Sequence, residues 1–103
     1  MTKQKKINKI ANNIKSYHPK KVILFGSYAW GSPDKNSDFD LFIIKETKKD
    51  FLKRSYEVRN CLKIDESFDI IVYTPEEVKE RLKINDSFIK KIIDKGKIIY
   101  EAV

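Results

Sequence analysis

GSYAWGSPDKNSDFDLFII, residues 26–44, decides how this chain folds. It follows KVILF (21–25), an apolar, β-branched run that stops at Gly26-Ser27 and so reads as a buried strand turning sharply into a helix. GSPDKNS (31–37) is made of turn formers, and FDLFII (39–44) resumes as a second strand. Side chains alternate across a strand, which puts Asp38 and Asp40 on one face.

On the N-terminal side, Ile7, Ile10, Ala11, Ile14 and Tyr17 recur at helical spacing between Lys, Asn and Gln. They predict an amphipathic helix that ends before His18-Pro19 and lays its apolar stripe on a sheet. On the C-terminal side, Phe51, Ser55, Val58 and Leu62 form the inward stripe of a helix over about 50–63. SFDIIVY (67–73) is a third strand, with Asp69 on the face of Ile71 and Tyr73. Thr74-Pro75-Glu76-Glu77 carries a capping box with Pro at the first helical position, opening a short helix through about Leu82. A last helix, from about Asp86 to Lys95, turns Phe88, Ile89, Ile92 and Ile93 inward, stops at Gly96 and leaves KIIYE (97–101) as an edge strand.

The 103 residues suit one domain, 1–103, with one modest core and one site but no separate substrate-binding domain. Hydrophobic residues at 41% and charged residues at 36% exclude a disordered tail as the default reading. The formal charge of +7 suits nucleotides, nucleic acid or an acidic protein surface. Nearly all of the basic residues are Lys, however, and a compositionally skewed genome produces the same bias. One cysteine, Cys61, excludes an internal disulfide, and no apolar stretch reaches the roughly 18 residues of a membrane helix. The basic N-terminus MTKQKKINKI lacks the apolar core of a secretory signal, so a cytoplasmic protein with no membrane association is expected.

Chemistry concentrates on the aspartates. Two carboxylates one residue apart at the start of an apolar strand repel each other unless a cation lies between them. Hard oxygen donors of this kind suit Mg²⁺, which takes one or two carboxylates together with substrate phosphates and water. Asp69, embedded in FDIIVY, meets the same difficulty. If the strands at 39–44 and 68–73 are neighbours, it faces Asp38 and Asp40 and completes a three-carboxylate, two-metal cluster. The Gly26-Ser27 turn is the complement: glycine admits an anion close to the backbone, and the helix N-terminus and the Ser hydroxyl add donors. A phosphate cradle beside a carboxylate pair describes nucleotidyl or phosphoryl transfer. Plainer roles compete. Asp38 and Asp40 could cap a solvated loop end, Asp69 could be a salt-bridged strand residue, and Ser27 could simply cap the following helix. Trp30 reads as packing or an interface anchor rather than a base-stacking platform, His18 as a helix-end residue and Cys61 as helix-face packing.

The stretch 26–44 resembles the GSxAxG…SDxDL signature of the polymerase-β-like nucleotidyltransferase superfamily. Within it, the chain is most similar to the small bacterial and archaeal MNT-type (minimal nucleotidyltransferase) proteins, and the likeness extends over essentially all of its length. The resemblance implies an α/β (α+β) fold with a small mixed β-sheet flanked by helices. It implies NTP, ATP by preference, as substrate with two Mg²⁺ ions. Asp38 and Asp40 would bridge both ions, Asp69 would bind one and help deprotonate the acceptor, and Gly26 with Ser27 would hold the β and γ phosphates. It also implies AMP transfer to a hydroxyl of a HEPN-type partner, in a toxin–antitoxin pair where this chain is the antitoxin. A binding module that neutralises its partner by contact alone, and NMP transfer to RNA or a small molecule, are the alternatives. Such proteins commonly carry Arg where this chain has Trp30, and Asp34 stands in a loop where a basic residue would help hold a triphosphate. Lys35, in the same loop, is the basic residue that would have to compensate, and nothing in the sequence places it against a phosphate.

Overall fold

Along β1 (Lys21–Phe25), Val22 and Leu24 point to one side while Ile23 and Phe25 point to the other. β2 (Phe39–Ile44) sends Phe39, Leu41 and Ile43 to the first side and Phe42 to the second, and β3 (Phe68–Tyr73) likewise splits Ile70 and Val72 from Ile71 and Tyr73. Strands apolar on both faces need helices on both. The computed structural model, which describes residues 1–34 and 36–103, supplies them. α1 (Lys3–Asn13), a 3₁₀ turn (Ile14–Tyr17) and α3 (Phe51–Leu62) cover the first face; α4 (Pro75–Lys83) and α5 (Ser87–Lys95) cover the second. α2 (Ser27–Trp30) is a single turn after β1, and β4 (Lys97–Glu101) closes the chain.

The sheet has the order β3-β2-β1-β4. β1 pairs antiparallel with β2 and β4, whereas β2 and β3 run parallel, joined through α3 as a parallel crossover requires. The sheet is therefore mixed and flanked by helices, as expected, and KIIYE is an edge strand, with β3 at the other edge. Phe39 and Phe42 are fully buried on opposite faces, each contributing roughly 2 kcal/mol by burial. Tyr28 of α2 stacks on Phe39, with ring centroids 3.9 Å apart. Among the described residues no helix is long and apolar enough to cross a membrane.

Two helices sit differently from their predicted orientation. The inward stripe of α3 is Arg54, Val58 and Leu62; Phe51 is more than half exposed and Ser55 lies at the margin. Arg54 can be buried because its guanidinium makes three hydrogen bonds, one of them to a carboxylate. Nε donates to Lys49 O (2.6 Å), while Nη1 donates to Val72 O (3.2 Å) and to Glu77 Oε1 (2.7 Å). Glu77 Oε1 also accepts from Thr74 N in the capping box of α4, so one carboxylate ties α3, β3 and α4 together. Burial alone would raise the Glu77 carboxyl, but the hydrogen bonds from Arg54 and Thr74 outweigh it and hold it below the usual carboxylate range. In α5 only Ile89 and Ile92 are buried; Phe88 and Ile93 are substantially exposed, because the short second face has room for one row of α5 side chains.

Candidate active site

The parallel register of β2 and β3 sets Asp40 opposite Asp69, and the antiparallel register of β1 and β2 sets Phe25 opposite Asp40. Phe25, Asp40 and Asp69 thus form a row across three strands on the face that α4 and α5 cover. The row lies at the end of that cover. Phe42 and Ile71, two residues further along β2 and β3, belong to the second core, whereas Asp40 is half-buried and Asp38 and Asp69 are exposed. The fold provides the predicted neighbourhood of the two strands and sets Asp40 beside Asp69, while Asp38 lies just before β2.

Gly26 closes the third side. Its backbone, at φ 74° and ψ −154°, lies in a region reserved for glycine, and a Cβ there would fall 1.9 Å from Asp40 Oδ2. The Asp40 carboxylate therefore rests directly on the Gly26 backbone. Gly26 O accepts from Ala29 N (3.0 Å) and Trp30 N (2.8 Å), which folds the chain into α2 at once. No side chain caps that helix, and Ser27 is its first residue rather than its cap, which removes the capping role considered for Ser27.

Burial raises the Asp40 carboxyl above the ordinary aspartate value, and the neighbouring Asp69 and Asp38 carboxylates raise it further. Asp40 therefore feels both of the other aspartates. Among the described residues, however, no three His, Cys, Asp or Glu side chains are gathered so as to hold a metal ion by themselves. Asp40 and Asp69 lie opposite each other on one face, with Asp38 just before β2, and the expected three-carboxylate cluster is not a closed cage. Its donors still fit a hard divalent cation, because Mg²⁺ uses one or two carboxylates and completes its shell from water and substrate phosphates.

The loop leading to Asp38 is fixed by Asp34, whose Oδ1 accepts from Asn36 N (2.8 Å) and from Ser37 Oγ (3.4 Å). Asp34 thus organises the turn that delivers the carboxylates, while Lys35 lies outside the described residues. Trp30 is a packing residue: Nε1 donates to Lys95 O (2.7 Å), the Lys91 ammonium sits 4.5 Å above its ring, and Phe25 is 6.2 Å away. His18 takes a left-handed conformation just after the 3₁₀ turn, and Cys61 packs on the first core. Sequence reasoning missed Phe25, which stands opposite Asp40 and whose ring meets that of Phe88 edge-on at 5.7 Å. The position of Phe25, last in β1 and directly before Gly26, was the available signal. Two surface hollows lie elsewhere: one between the 3₁₀ turn and α3, with Lys45, Lys49 and Asn60 in its walls, the other near Lys20 and Glu101. Neither includes an aspartate of the row.

Residues 5–102 match the family model described as "Polymerase beta, Nucleotidyltransferase". The chain is also 31% identical over 105 residues to a "putative protein adenylyltransferase" of Methanocaldococcus jannaschii, over 97% of this chain and 100% of that protein.

Proposed function

The chain belongs to the polymerase beta nucleotidyltransferase family and is a nucleotidyltransferase acting on an NTP; from this we propose that it transfers AMP from ATP, with Mg²⁺, to a hydroxyl of a partner protein. The observation that carries the reading is the register of Asp40 with Asp69, together with the contact of the Asp40 carboxylate with Gly26. Carboxylates and a glycine turn at one point of a sheet suit a polyphosphate held beside its metal.

In this reading Asp38, Asp40 and Asp69 would hold the two Mg²⁺ ions. When bound there, the ions neutralise charge on the entering and leaving oxygens. The Gly26-Ser27 turn binds the β and γ phosphates through backbone N–H groups and the Ser27 hydroxyl. Asp69 takes the proton as the acceptor oxygen bonds to the α-phosphorus; the bond to the bridging oxygen breaks and pyrophosphate leaves. Residues 1–103 act as one domain with little surface to position an acceptor, so a partner brings the hydroxyl. The name of the archaeal relative supports a protein acceptor. The resemblance to MNT-type proteins supports a HEPN-type chain as that partner, a cytoplasmic location and an antitoxin role.

One observation favours a second reading. Trp30, which stands where such proteins commonly carry Arg, is tied to α5 through Lys95 O and offers nothing to a phosphate. That arrangement suits a module that neutralises its partner by contact alone. Co-expression with the product of the adjacent gene, followed by intact-mass measurement, separates the two. A gain of nucleoside-monophosphate mass that disappears in Asp40→Asn supports transfer, a stable complex of unmodified mass supports contact, and the absence of any complex removes the partner.

A further inference from the structure

The formal charge of +7 is not spread over the molecule. Seven of the 22 basic residues and none of the 15 acidic ones precede Asp34, so residues 1–33 carry all of it and the remaining fifteen bases and fifteen acids cancel. Most of these lysines lie on α1 and the 3₁₀ turn. From Lys3 to Ser16 every exposed residue is Lys, Gln, Asn or Ser, and each can donate hydrogen bonds. Lys6 is paired with Glu66, but among the described residues no ion pair engages Lys3, Lys5, Lys9 or Lys15.

The arrangement opposes the electrostatics of the helix itself. α1 has Lys3, Lys5 and Lys6 in its first turn with no acid, where the positive end of the helix dipole favours carboxylates. α4 follows the favourable rule, with Glu76 and Glu77 in its first turn and Arg81 and Lys83 in its last. Folding stability accounts for α4 but not for the lysines of α1.

We propose that the outer face of α1 binds the phosphate backbone of a nucleic-acid duplex. Lysines interleaved with amide and hydroxyl side chains are the groups that contact phosphate and sugar. Protein-interface cores are depleted in Lys and anchored by aromatic or other apolar residues, and the exposed residues of this face include neither. Single strands are gripped by stacking on exposed rings, whereas Tyr17, the one ring in these elements, is buried. Ile7, Ile10 and Ile14 fasten α1 to the sheet face opposite Asp40 and Asp69, so the surface is separate from the proposed catalytic site and does not rest on its reading.

Fluorescence anisotropy of the full chain with a short labelled RNA duplex, and with the DNA duplex of the same sequence, tests the proposal. Both should bind alike, with affinity falling linearly on a log–log plot against salt and a slope of about −0.9 per phosphate neutralised. Lys5→Glu with Lys9→Glu should weaken binding at least about tenfold and flatten that slope by about two phosphates. Lys5→Glu also completes a Thr2-x-x-Glu capping box, so helix loss would not explain the effect. The control, Lys48→Glu with Lys53→Glu, changes net charge equally on another exposed surface and should bind as the parent does. No duplex binding at low salt, equal loss in both variants, tighter binding of single strands, or competition by polyglutamate as strong as by unlabelled duplex would each overturn the proposal.

Discussion

Gly26→Ala separates backbone strain from chemistry at one position. The native φ of 74° with ψ −154° costs an L-residue about 1–3 kcal/mol, which in a domain of this size lowers Tm by roughly 4–8 °C per kcal/mol. The added Cβ would stand 1.9 Å from Asp40 Oδ2, and an ordinary contact begins at 3.4 Å, so the carboxylate must retreat by about 1.5 Å. Displacements of that order cost about 10²-fold in rate when the group positions a reacting centre. The expected result is a moderate loss of Tm and a disproportionate loss of Mg²⁺-dependent nucleotide binding and transfer. Gly31→Ala is the comparison: its φ is −131° and the nearest atom to a new Cβ is 3.6 Å away, so both properties should stay near the parent values. Thermal denaturation, calorimetry with ATP and Mg²⁺, and transfer to the co-expressed partner read the outcomes. If Gly26→Ala lowers Tm while binding and transfer persist at parental levels, the placement of the Asp40 carboxylate is not what the site depends on.

Four further outcomes follow from the same geometry. ATP and Mg²⁺ should bind together, each weakly without the other, because the exposed carboxylates need a cation and the cation needs phosphate oxygens; equal calorimetric affinities with and without Mg²⁺ would sink the site assignment. Asp40→Asn should abolish transfer yet raise Tm at neutral pH in chelator. The raised Asp40 carboxyl makes its ionised form unfavourable in the fold, so the gain should fade as pH falls through the carboxylate range, and a melting series across that range checks the sign. Glu77 has the opposite sign: its lowered carboxyl contributes stability at neutral pH that is lost as pH falls below about 5, and Glu77→Gln should flatten that acid limb. Tyr17→Phe removes a buried hydroxyl that has no hydrogen-bond partner among the described residues and should stabilise by about 1 kcal/mol. Because burial pushes that phenol up to about 12, the parent should also lose stability between its ordinary value of 10.0 and 12, a loss the variant lacks in alkaline melts.

All four strands could be read from the sequence because a strand buried on both faces is a nearly continuous apolar run between turn formers, and KVILF, FDLFII, FDIIVY and KIIYE all have that form or a weaker version of it. The placement of Asp40 opposite Asp69 was legible for the same reason: a period of two leaves no freedom once the strands are neighbours. Helix rotation was not legible, because several residues of α3 and α5 are apolar all round and period alone does not say which of them the sheet has room for. In α3 the answer depended on Glu77, twenty-three positions later, whose carboxylate lets Arg54 take a buried position while Phe51 moves outward. In α5 it depended on the second core, where Ile89 and Ile92 fill the one row available and Phe88, its ring edge-on to that of Phe25, stays half in solvent. The contact between Gly26 and Asp40 was equally out of reach, since it joins the end of one strand to the start of its antiparallel neighbour through a backbone conformation that no pattern of side chains announces. That contact nevertheless explains the spacing of the stretch that was read first. A turn reserved for glycine, a loop held by Asp34 and a strand returning antiparallel bring the carboxylate back to the same backbone point. A longer or shorter loop would have to reproduce that return before the carboxylate could lie against the turn.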